Sequence, residues 1–183
     1  MTRLLTTLAG AAGMLVLLAW VKADAPVTAD EATAATTSLR EEADLNTIAW
    51  LSWEEAVAAN VRDPRPLIVD VYTDWCGWCK RMDATTFRDP AVVKYVSDRF
   101  HPVKLNAEQT ADISYDGHTF KYQRSGARGV HELAASLLDN RLSYPSIVYL
   151  NPQMERVMIA PGFKDADAIM RDLKYATGEG ERP

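Results

Sequence analysis

The feature that most restricts the fold is a short apolar segment followed almost at once by two cysteines. The run from Leu67 to Tyr72 is nearly continuous in apolar, β-branched residues, which is typical of a central strand buried on both faces. The motif Trp-Cys-Gly-Trp-Cys-Lys, residues 75–80, follows directly and opens a segment with helical character. The sequence therefore predicts two thiols between a buried strand and the start of a helix.

The spacing and position of the cysteines predict redox chemistry rather than a structural crosslink. A disulfide between Cys76 and Cys79 closes a very short loop, so it removes little entropy from the unfolded chain. At a helix N-terminus the free N–H groups and the positive end of the dipole stabilise a thiolate, so Cys76 is the expected low-pKa attacking thiol. Cys79 lies about one turn further along the same face and can resolve a mixed disulfide.

The rest of the chain predicts an α/β domain. Ser52 with Glu55 forms a capping box for a helix whose apolar face carries Trp53, Val57 and Val61. The pairs Asp89-Pro90 and Asp165-Ala166 mark further helix starts, and another helical pattern begins at Val130. The predicted order is a weak strand, then α, β, α, β, insert, α, β, β, α, which indicates a mixed central sheet flanked by helices on both faces.

The segment 108–129 interrupts this alternation just before the third helix of the predicted order. Asp116-Gly117 stands between two short strand-like runs, which is a strong signal for a β-hairpin with a tight turn. Insertions into compact domains are more often functional than passive. We therefore predict that the hairpin around Asp116-Gly117 is a recognition element.

The N-terminal segment predicts that the protein is exported. Residues 1–25 combine a basic start, an uncharged stretch and an Ala-x-Ala site, which favours a cleaved signal peptide over an N-terminal membrane anchor. The stretch from Leu4 to Val21 is at the lower limit for spanning a bilayer, so a membrane tether stays the alternative. Residues 26–45 are predicted to form a flexible linker, 46–178 the folded domain and 179–183 a polar tail.

The segment from Leu67 to Lys80 resembles the active-site strand and helix of the thioredoxin-like superfamily. The similarity extends to Asp70 at the position of the family's buried acid, to Lys104 as its neighbour, to Pro145 as the cis-proline facing the active site, and to Gly162 after the last strand. The segments 72–76 and 86–90 resemble exported members of the family, in particular the periplasmic C-terminal domain of the electron transporter DsbD.

The resemblance implies a thioredoxin fold and a thiol-disulfide oxidoreductase located in the periplasm or another extracytoplasmic space. Cys76 and Cys79 would form the redox disulfide, Asp70 and Lys104 would manage the proton, and the substrate groove would comprise Trp75, Gly77, Trp78, Tyr144 and Pro145. Such an enzyme needs no organic cofactor. Its expected partners are protein disulfide substrates and an upstream thiol electron donor, which could itself be membrane-bound.

Two other functions stay open on the sequence. The chain could be a thioredoxin-fold binding module that uses the insert to hold a partner, or a metallochaperone in which the two cysteines bind a metal with help from His101, His118 or His131. The spacing of these histidines is unlike that of common zinc sites, so we predict no metal. The net charge of −5 and the absence of long basic runs argue against nucleic-acid binding.

Overall fold

The computed structural model describes residues 47–125 and 128–183. In chain order the elements are α1 (Trp53–Arg62), β1 (Leu67–Tyr72), α2 (Gly77–Ala84), a 3-10 turn (Thr86–Arg88), α3 (Pro90–Arg99), β2 (His101–Asn106), β3 (Ile113–Tyr115), β4 (His118–Phe120), β5 (Tyr122–Ser125), β6 (Arg128–His131), α4 (Glu132–Leu137), β7 (Ser146–Leu150), β8 (Arg156–Pro161) and α5 (Ala166–Ala176).

The central sheet has four strands in the order β2-β1-β7-β8. Strand β1 runs parallel to β2 and antiparallel to β7, and β7 runs antiparallel to β8. The predicted weak first strand is a single parallel bridge between Leu51 and Val103. The mixed sheet predicted from the sequence is confirmed.

The two faces of β1 belong to two separate hydrophobic cores, as the period of two in a strand requires. Leu67, Val69 and Val71 pack with α1 and α4. Ile68, on the opposite face, packs with apolar side chains of α2, α3 and α5. Because helices cover both faces, the strand is buried along almost its whole length, which explains its nearly continuous apolar sequence.

Local capping signals fix where the helices begin. The Ser52 side chain accepts a hydrogen bond from the Glu55 backbone N–H, and the Glu55 carboxylate accepts one from the Ser52 N–H. The side chains of Asp89 and Asp165 accept hydrogen bonds from backbone N–H groups in the first turns of α3 and α5. Each cap satisfies N–H groups that have no partner inside the helix.

Two details of the predicted helices differ from the structure. Val61 is 80% exposed, because the buried face of α1 follows Trp53, Ala56 and Asn60 and turns away from Val61 near the helix end. Val130 lies in strand β6, so α4 begins only at Glu132. The further helix predicted after Asp89-Pro90 is α3, and the 3-10 turn Thr86–Arg88 separates it from α2.

The insert contains two hairpins where the sequence predicted one. The predicted turn at Asp116-Gly117 connects β3 and β4, and both residues have positive φ. Strands β5 and β6 form the second hairpin. It escaped prediction because its strands are largely polar and lack an alternating apolar pattern.

The first hairpin belongs to the core of the domain. Ile113 is buried within the cluster formed by α1 and α4, and Tyr115 packs edge-on against Trp53 with ring centroids 5.4 Å apart. Removing this hairpin would therefore expose core side chains. Its contacts are those of a packing element.

Across the described ranges, no helix is both long enough and apolar enough to cross a membrane. The predicted signal segment 1–25 and linker 26–45 lie outside the described residues. Helix α5 ends at Ala176, close to the predicted domain boundary at 178.

Candidate active site

The strand registers bring three separate chain segments to one edge of the sheet. Strands β1 and β2 are parallel and aligned from Leu67 opposite His101 to Tyr72 opposite Asn106. Strand β7 is antiparallel to β1, and Val71 lies opposite Ser146. The loop after β1, the residues that follow β2 and the residues that precede β7 therefore meet at this carboxyl edge of the sheet.

The two cysteines lie in the loop after β1 and in the first turn of α2. They form a disulfide with an S–S distance of 2.04 Å. Cys76 is the N-cap residue of α2, and its sulfur accepts a hydrogen bond from the Cys79 backbone N–H at 3.1 Å. Both cysteine side chains are buried in this oxidised state. The geometry places the Cys76 sulfur where the N–H groups of a helix N-terminus stabilise negative charge.

Asp70 lies in the middle of β1 and is 1% exposed. One carboxylate oxygen accepts a hydrogen bond from Lys104 Nζ at 2.6 Å, and the other has no hydrogen-bond partner among the described residues. Burial raises the pKa of Asp70 to about 6, against the opposing pull of the Lys104 ammonium. Asp70 therefore titrates close to neutral pH, where it can take up or release a proton.

Lys104 lies on β2 directly opposite Asp70, and its ammonium group contacts two carboxylates. The second carboxylate is that of Asp83, on the same helix as Cys79. Three aromatic rings surround the ammonium group, with centroids 5.0 to 5.4 Å away: Trp50, Tyr72 and Phe87. Burial alone would lower the pKa of Lys104, but the two carboxylates outweigh it and the pKa is raised. Lys104 therefore stays charged.

Asp83 was not among the residues singled out from the sequence. It contacts Lys104, which is 21 positions away in the chain, and no local sequence pattern predicts such a contact. A cavity of about 230 Å³ opens beside this group, and Asp83 and Lys104 line it together with Trp50. The buried Asp70 is thus connected through Lys104 to a surface cavity that is lined by both charged and apolar side chains.

Trp75 precedes Cys76 and is held by three neighbours at the carboxyl edge. Its indole Nε1–H donates a hydrogen bond to Glu108 at 3.0 Å. The Arg128 guanidinium lies over the ring, 4.5 Å from its centroid, and Tyr144 packs edge-on at 6.0 Å. Glu108 and Arg128 belong to the insert segment and were not predicted as site residues. The indole nevertheless stays 52% exposed beside the cysteine.

Trp78, between the two cysteines, forms a second exposed aromatic group. Its ring packs against Phe163, with centroids 5.4 Å apart, and the Arg81 guanidinium lies close to both rings. Trp78 is 58% exposed. At Gly77 a Cβ atom would meet nothing within 4 Å, so steric space does not require glycine there. The disulfide is thus flanked by exposed aromatic side chains.

Tyr144-Pro145 contains a cis peptide bond and precedes β7 at the carboxyl edge. The Pro145 carbonyl accepts a hydrogen bond from the Gly162 backbone N–H at 2.8 Å. Gly162 has a φ of +84°, a conformation that side-chain-bearing residues rarely adopt. The cis-proline and the glycine predicted from the resemblance are therefore in direct contact.

The histidines considered as metal ligands have separate surroundings. His101 contacts the Asp63 carbonyl, and the buried His131 contacts the Ala111 carbonyl. His118 packs against Phe120 on β4. Within residues 47–125 and 128–183, no group of three or more His, Cys, Asp or Glu side chains is arranged to hold a metal ion.

Comparison with known proteins identifies similar sequences and folds. The family model Thioredox_DsbH, described as "Protein of unknown function, DUF255", matches residues 31–174. The thiol:disulfide interchange protein DsbD of Ralstonia nicotianae is 27% identical over 129 residues, which are 70% of this chain and 18% of that protein. This chain therefore spans less than a fifth of the length of the curated relatives it matches.

Two solved structures share the fold. The DsbH oxidoreductase superposes with a TM-score of 0.51 and 15% identity, covering 72% of this chain and 85% of that one. A thioredoxin from Thermus thermophilus gives a TM-score of 0.54 and 18% identity, covering 73% and 90%. The predicted thioredoxin fold and the resemblance to DsbD are confirmed. This chain belongs to the DsbH family of thioredoxin-like proteins.

Proposed function

We propose that this protein is an exported thiol-disulfide oxidoreductase that reduces disulfides of other exported proteins. The observation that carries the proposal is the Cys76 sulfur at the N-terminus of α2, bonded to Cys79 and hydrogen-bonded to the Cys79 N–H. A disulfide that closes so short a loop contributes little to stability, so a role in redox exchange explains Cys76 and Cys79 better than a role as a structural crosslink.

The reaction starts from the reduced pair. The Cys76 thiolate attacks one sulfur of a substrate disulfide, which forms a mixed disulfide and releases the other substrate sulfur as a thiolate that takes up a proton. The Cys79 thiolate then attacks the Cys76 sulfur and releases the second substrate thiol. Two electrons have passed to the substrate, and the protein carries the Cys76–Cys79 disulfide. An upstream dithiol donor restores the reduced pair by the reverse sequence of exchanges.

We propose that Asp70 is the base that accepts the proton of the Cys79 thiol. The resolving thiol must lose its proton before it attacks, and a buried thiol needs a base within the protein. A carboxyl with a pKa of about 6 is largely ionised at pH 7 and accepts a proton readily. The cavity beside Asp83 offers that proton a route to solvent, and the Lys104 ammonium holds the Asp70 carboxylate in place. Lys104 is thus a positioning residue in this scheme.

The exposed surface around the disulfide fits a protein substrate. Trp75, before Cys76, and Trp78, between the cysteines, both present exposed apolar surface, and Tyr144 with Pro145 borders the same edge. Exposed apolar surface of this kind marks sites of protein contact. The predicted signal segment supports an extracytoplasmic location, and the names of the curated relatives support a role in thiol-disulfide interchange.

Replacing each cysteine by serine tests the proposal. Serine is a favoured N-cap residue, so Cys76→Ser preserves the start of α2. We expect Cys76→Ser to abolish reduction of insulin disulfides, because it removes the attacking thiol. Cys79→Ser should stop after one attack and accumulate mixed disulfides on Cys76, detectable by mass spectrometry. The double variant is the control for background reduction.

The same experiment separates this function from its rivals. A binding module would hold its partner in both single variants without any covalent product, and a metallochaperone would lose metal affinity equally in both. Equal behaviour of Cys76→Ser and Cys79→Ser would overturn the assignment of attacking and resolving thiols. If Cys79→Ser accumulates mixed disulfides as expected, purifying this variant from the exported compartment and identifying the attached proteins would reveal the natural substrates.

A further inference from the structure

The second hairpin of the insert supplies a cationic wall to the region beside the attacking cysteine. Arg128 opens β6 and lies over Trp75, the residue that precedes Cys76. Glycine at position 129 allows the two strands to approach each other this closely, because a Cβ there would clash with the Gln123 carbonyl oxygen on β5. Gln123 in turn donates a hydrogen bond to Glu132 at the start of α4. The hairpin is therefore anchored to the domain.

The Arg128 guanidinium retains unused capacity for binding an anion. Its closest approach to the Glu108 carboxylate is 3.9 Å, which is too long for a hydrogen bond. The other Glu108 oxygen accepts the indole N–H of Trp75. The Arg128 side chain is 60% exposed, so solvent reaches the N–H groups of its planar fork, whose geometry matches a carboxylate.

A small cavity adjoins this guanidinium and leads towards the cis-proline segment. It has a volume of about 220 Å³, and its walls include Arg128, Val130, Leu142 and Tyr144. Glu108 lines it as well, so the cavity combines the charged side chains of Glu108 and Arg128 with apolar ones. Arg128 lies over the ring of Trp75, the neighbour of Cys76, and an extended peptide advances about 3.3 Å per residue. We therefore take about three residues as the span over which a substrate side chain meets this wall when its cysteine is engaged by Cys76.

We propose that this site selects protein substrates that carry an acidic residue within three positions of the target cysteine. The Arg128 guanidinium binds the substrate carboxylate, and the Leu142–Tyr144 side of the cavity accommodates an apolar neighbour. Glu108 is the acidic group that faces Arg128 among the described residues. Its carboxylate accepts the Trp75 indole N–H, and its side chain is 26% exposed against 60% for Arg128, so the exposed guanidinium edge is left for the substrate.

This inference rests on the proposed function, and cyclic peptides with a single disulfide test it. The peptides differ at one position next to a cysteine, which is Glu, Gln or Lys. The second-order rate constant for oxidation of the reduced protein by each peptide is measured by tryptophan fluorescence and divided by the rate constant of the same peptide with dithiothreitol. Uncharged 2-hydroxyethyl disulfide reports on the redox activity alone.

We expect the wild-type protein to prefer the Glu peptide over the Gln peptide by about threefold, as for a partly exposed ion pair, and to disfavour the Lys peptide. In Arg128→Gln the Glu-to-Gln ratio should fall to about one. Because both peptides are measured on the same variant, any general loss of activity cancels. Arg124→Gln removes an equal charge from the exposed neighbouring strand β5 and should keep the wild-type ratio.

Three outcomes would overturn the inference: equal rates for Glu and Gln peptides in the wild-type protein, a preference that survives Arg128→Gln, or a preference that Arg124→Gln removes as well. Failure to react with 2-hydroxyethyl disulfide would instead overturn the proposed function. A ratio that declines towards one in 1 M salt would support an electrostatic origin, because salt screens exposed charges.

Discussion

Asp70 is an ionisable group buried in an otherwise apolar strand, and its environment has two consequences. Burial disfavours the carboxylate, while Lys104 alone donates a hydrogen bond to it among the described residues. The folded protein therefore binds a proton at Asp70 more tightly than the unfolded chain, whose carboxyl titrates near its ordinary pKa. The same property that suits Asp70 to proton transfer makes its charged form costly to the fold.

Asp70→Asn should therefore stabilise the oxidised protein at alkaline pH. The folded pKa of about 6 exceeds the ordinary aspartate pKa of 3.8, so the cost of the charge is fully present above pH 6 and disappears as the pH falls below about 4. We expect a gain of about 2 kcal/mol at pH 8 relative to its value at pH 4. Urea unfolding at both pH values measures it.

Asp83→Asn is the matched control, because it removes the other carboxylate that contacts Lys104 but one that is 42% exposed. It should give less than half of the Asp70→Asn gain. If Asp70→Asn raised the free energy of unfolding equally at pH 4 and pH 8, the buried carboxylate would not be destabilising in its charged form.

Asp70→Asn should also slow the exchange reaction although the protein stays folded. Without the carboxylate, Cys79 loses its proposed base, so the rate of mixed-disulfide resolution near pH 7 should drop about 10²-fold, the lower end of the range for general-base catalysis. The dependence of the rate on pH between 5 and 8 should lose its inflection near 6. Stopped-flow reduction of a peptide disulfide measures this, and an unchanged profile would remove Asp70 from the mechanism.

Some elements of the domain could be predicted from the sequence more clearly than others. Strand β1, the caps of α1, α3 and α5, and the turn at Asp116-Gly117 could all be predicted, because each depends on residues within one turn or one strand of each other. The second hairpin could not, since its pairing joins polar strands. Asp83 and Glu108 were missed because their contacts with Lys104 and Trp75 join distant positions.

The first hairpin should contribute to the stability of the domain, and its role in recognition stays a prediction. Ile113→Ala removes a side chain buried in the core formed with α1 and α4, so we expect a loss of about 2–4 kcal/mol in the free energy of unfolding. Ser114→Ala, at the exposed adjacent position, should cost less than about 0.5 kcal/mol. Urea denaturation compares them. Similar small losses for both would show that the hairpin packs only loosely on the domain.

At the scale of the whole molecule, the charge around the disulfide bears on the direction of electron flow. A strong oxidant needs an unusually stable reduced form, in which the thiolate is held by nearby positive charge. Here Gly77 and Trp78, between the cysteines, are uncharged, and the protein has a net charge of −5. Among the described residues, Asp70 and Asp83 carry two negative charges against the one positive charge of Lys104, which contacts both. Lys80, one residue past Cys79 on α2, is an opposing positive charge. Because no cation lies between the two cysteines in the sequence, we expect the Cys76 thiolate to be only moderately stabilised, which favours a reductant.

We therefore predict a reduction potential closer to about −270 mV, the thioredoxin value, than to about −120 mV, the DsbA value. A cation placed between the cysteines should shift it upwards: Trp78→Lys stabilises the Cys76 thiolate by at most about one pKa unit, which corresponds to about 30 mV. Trp78→Leu, which removes the indole without adding charge, should leave the potential nearer to the wild-type value. Equilibration against glutathione buffers, with thiols counted by alkylation and mass spectrometry, measures all three proteins. A wild-type potential above about −180 mV, the value of a disulfide isomerase, would reverse the proposed direction of electron flow. Equal potentials for the Lys and Leu variants would show that charge at this position does not control it.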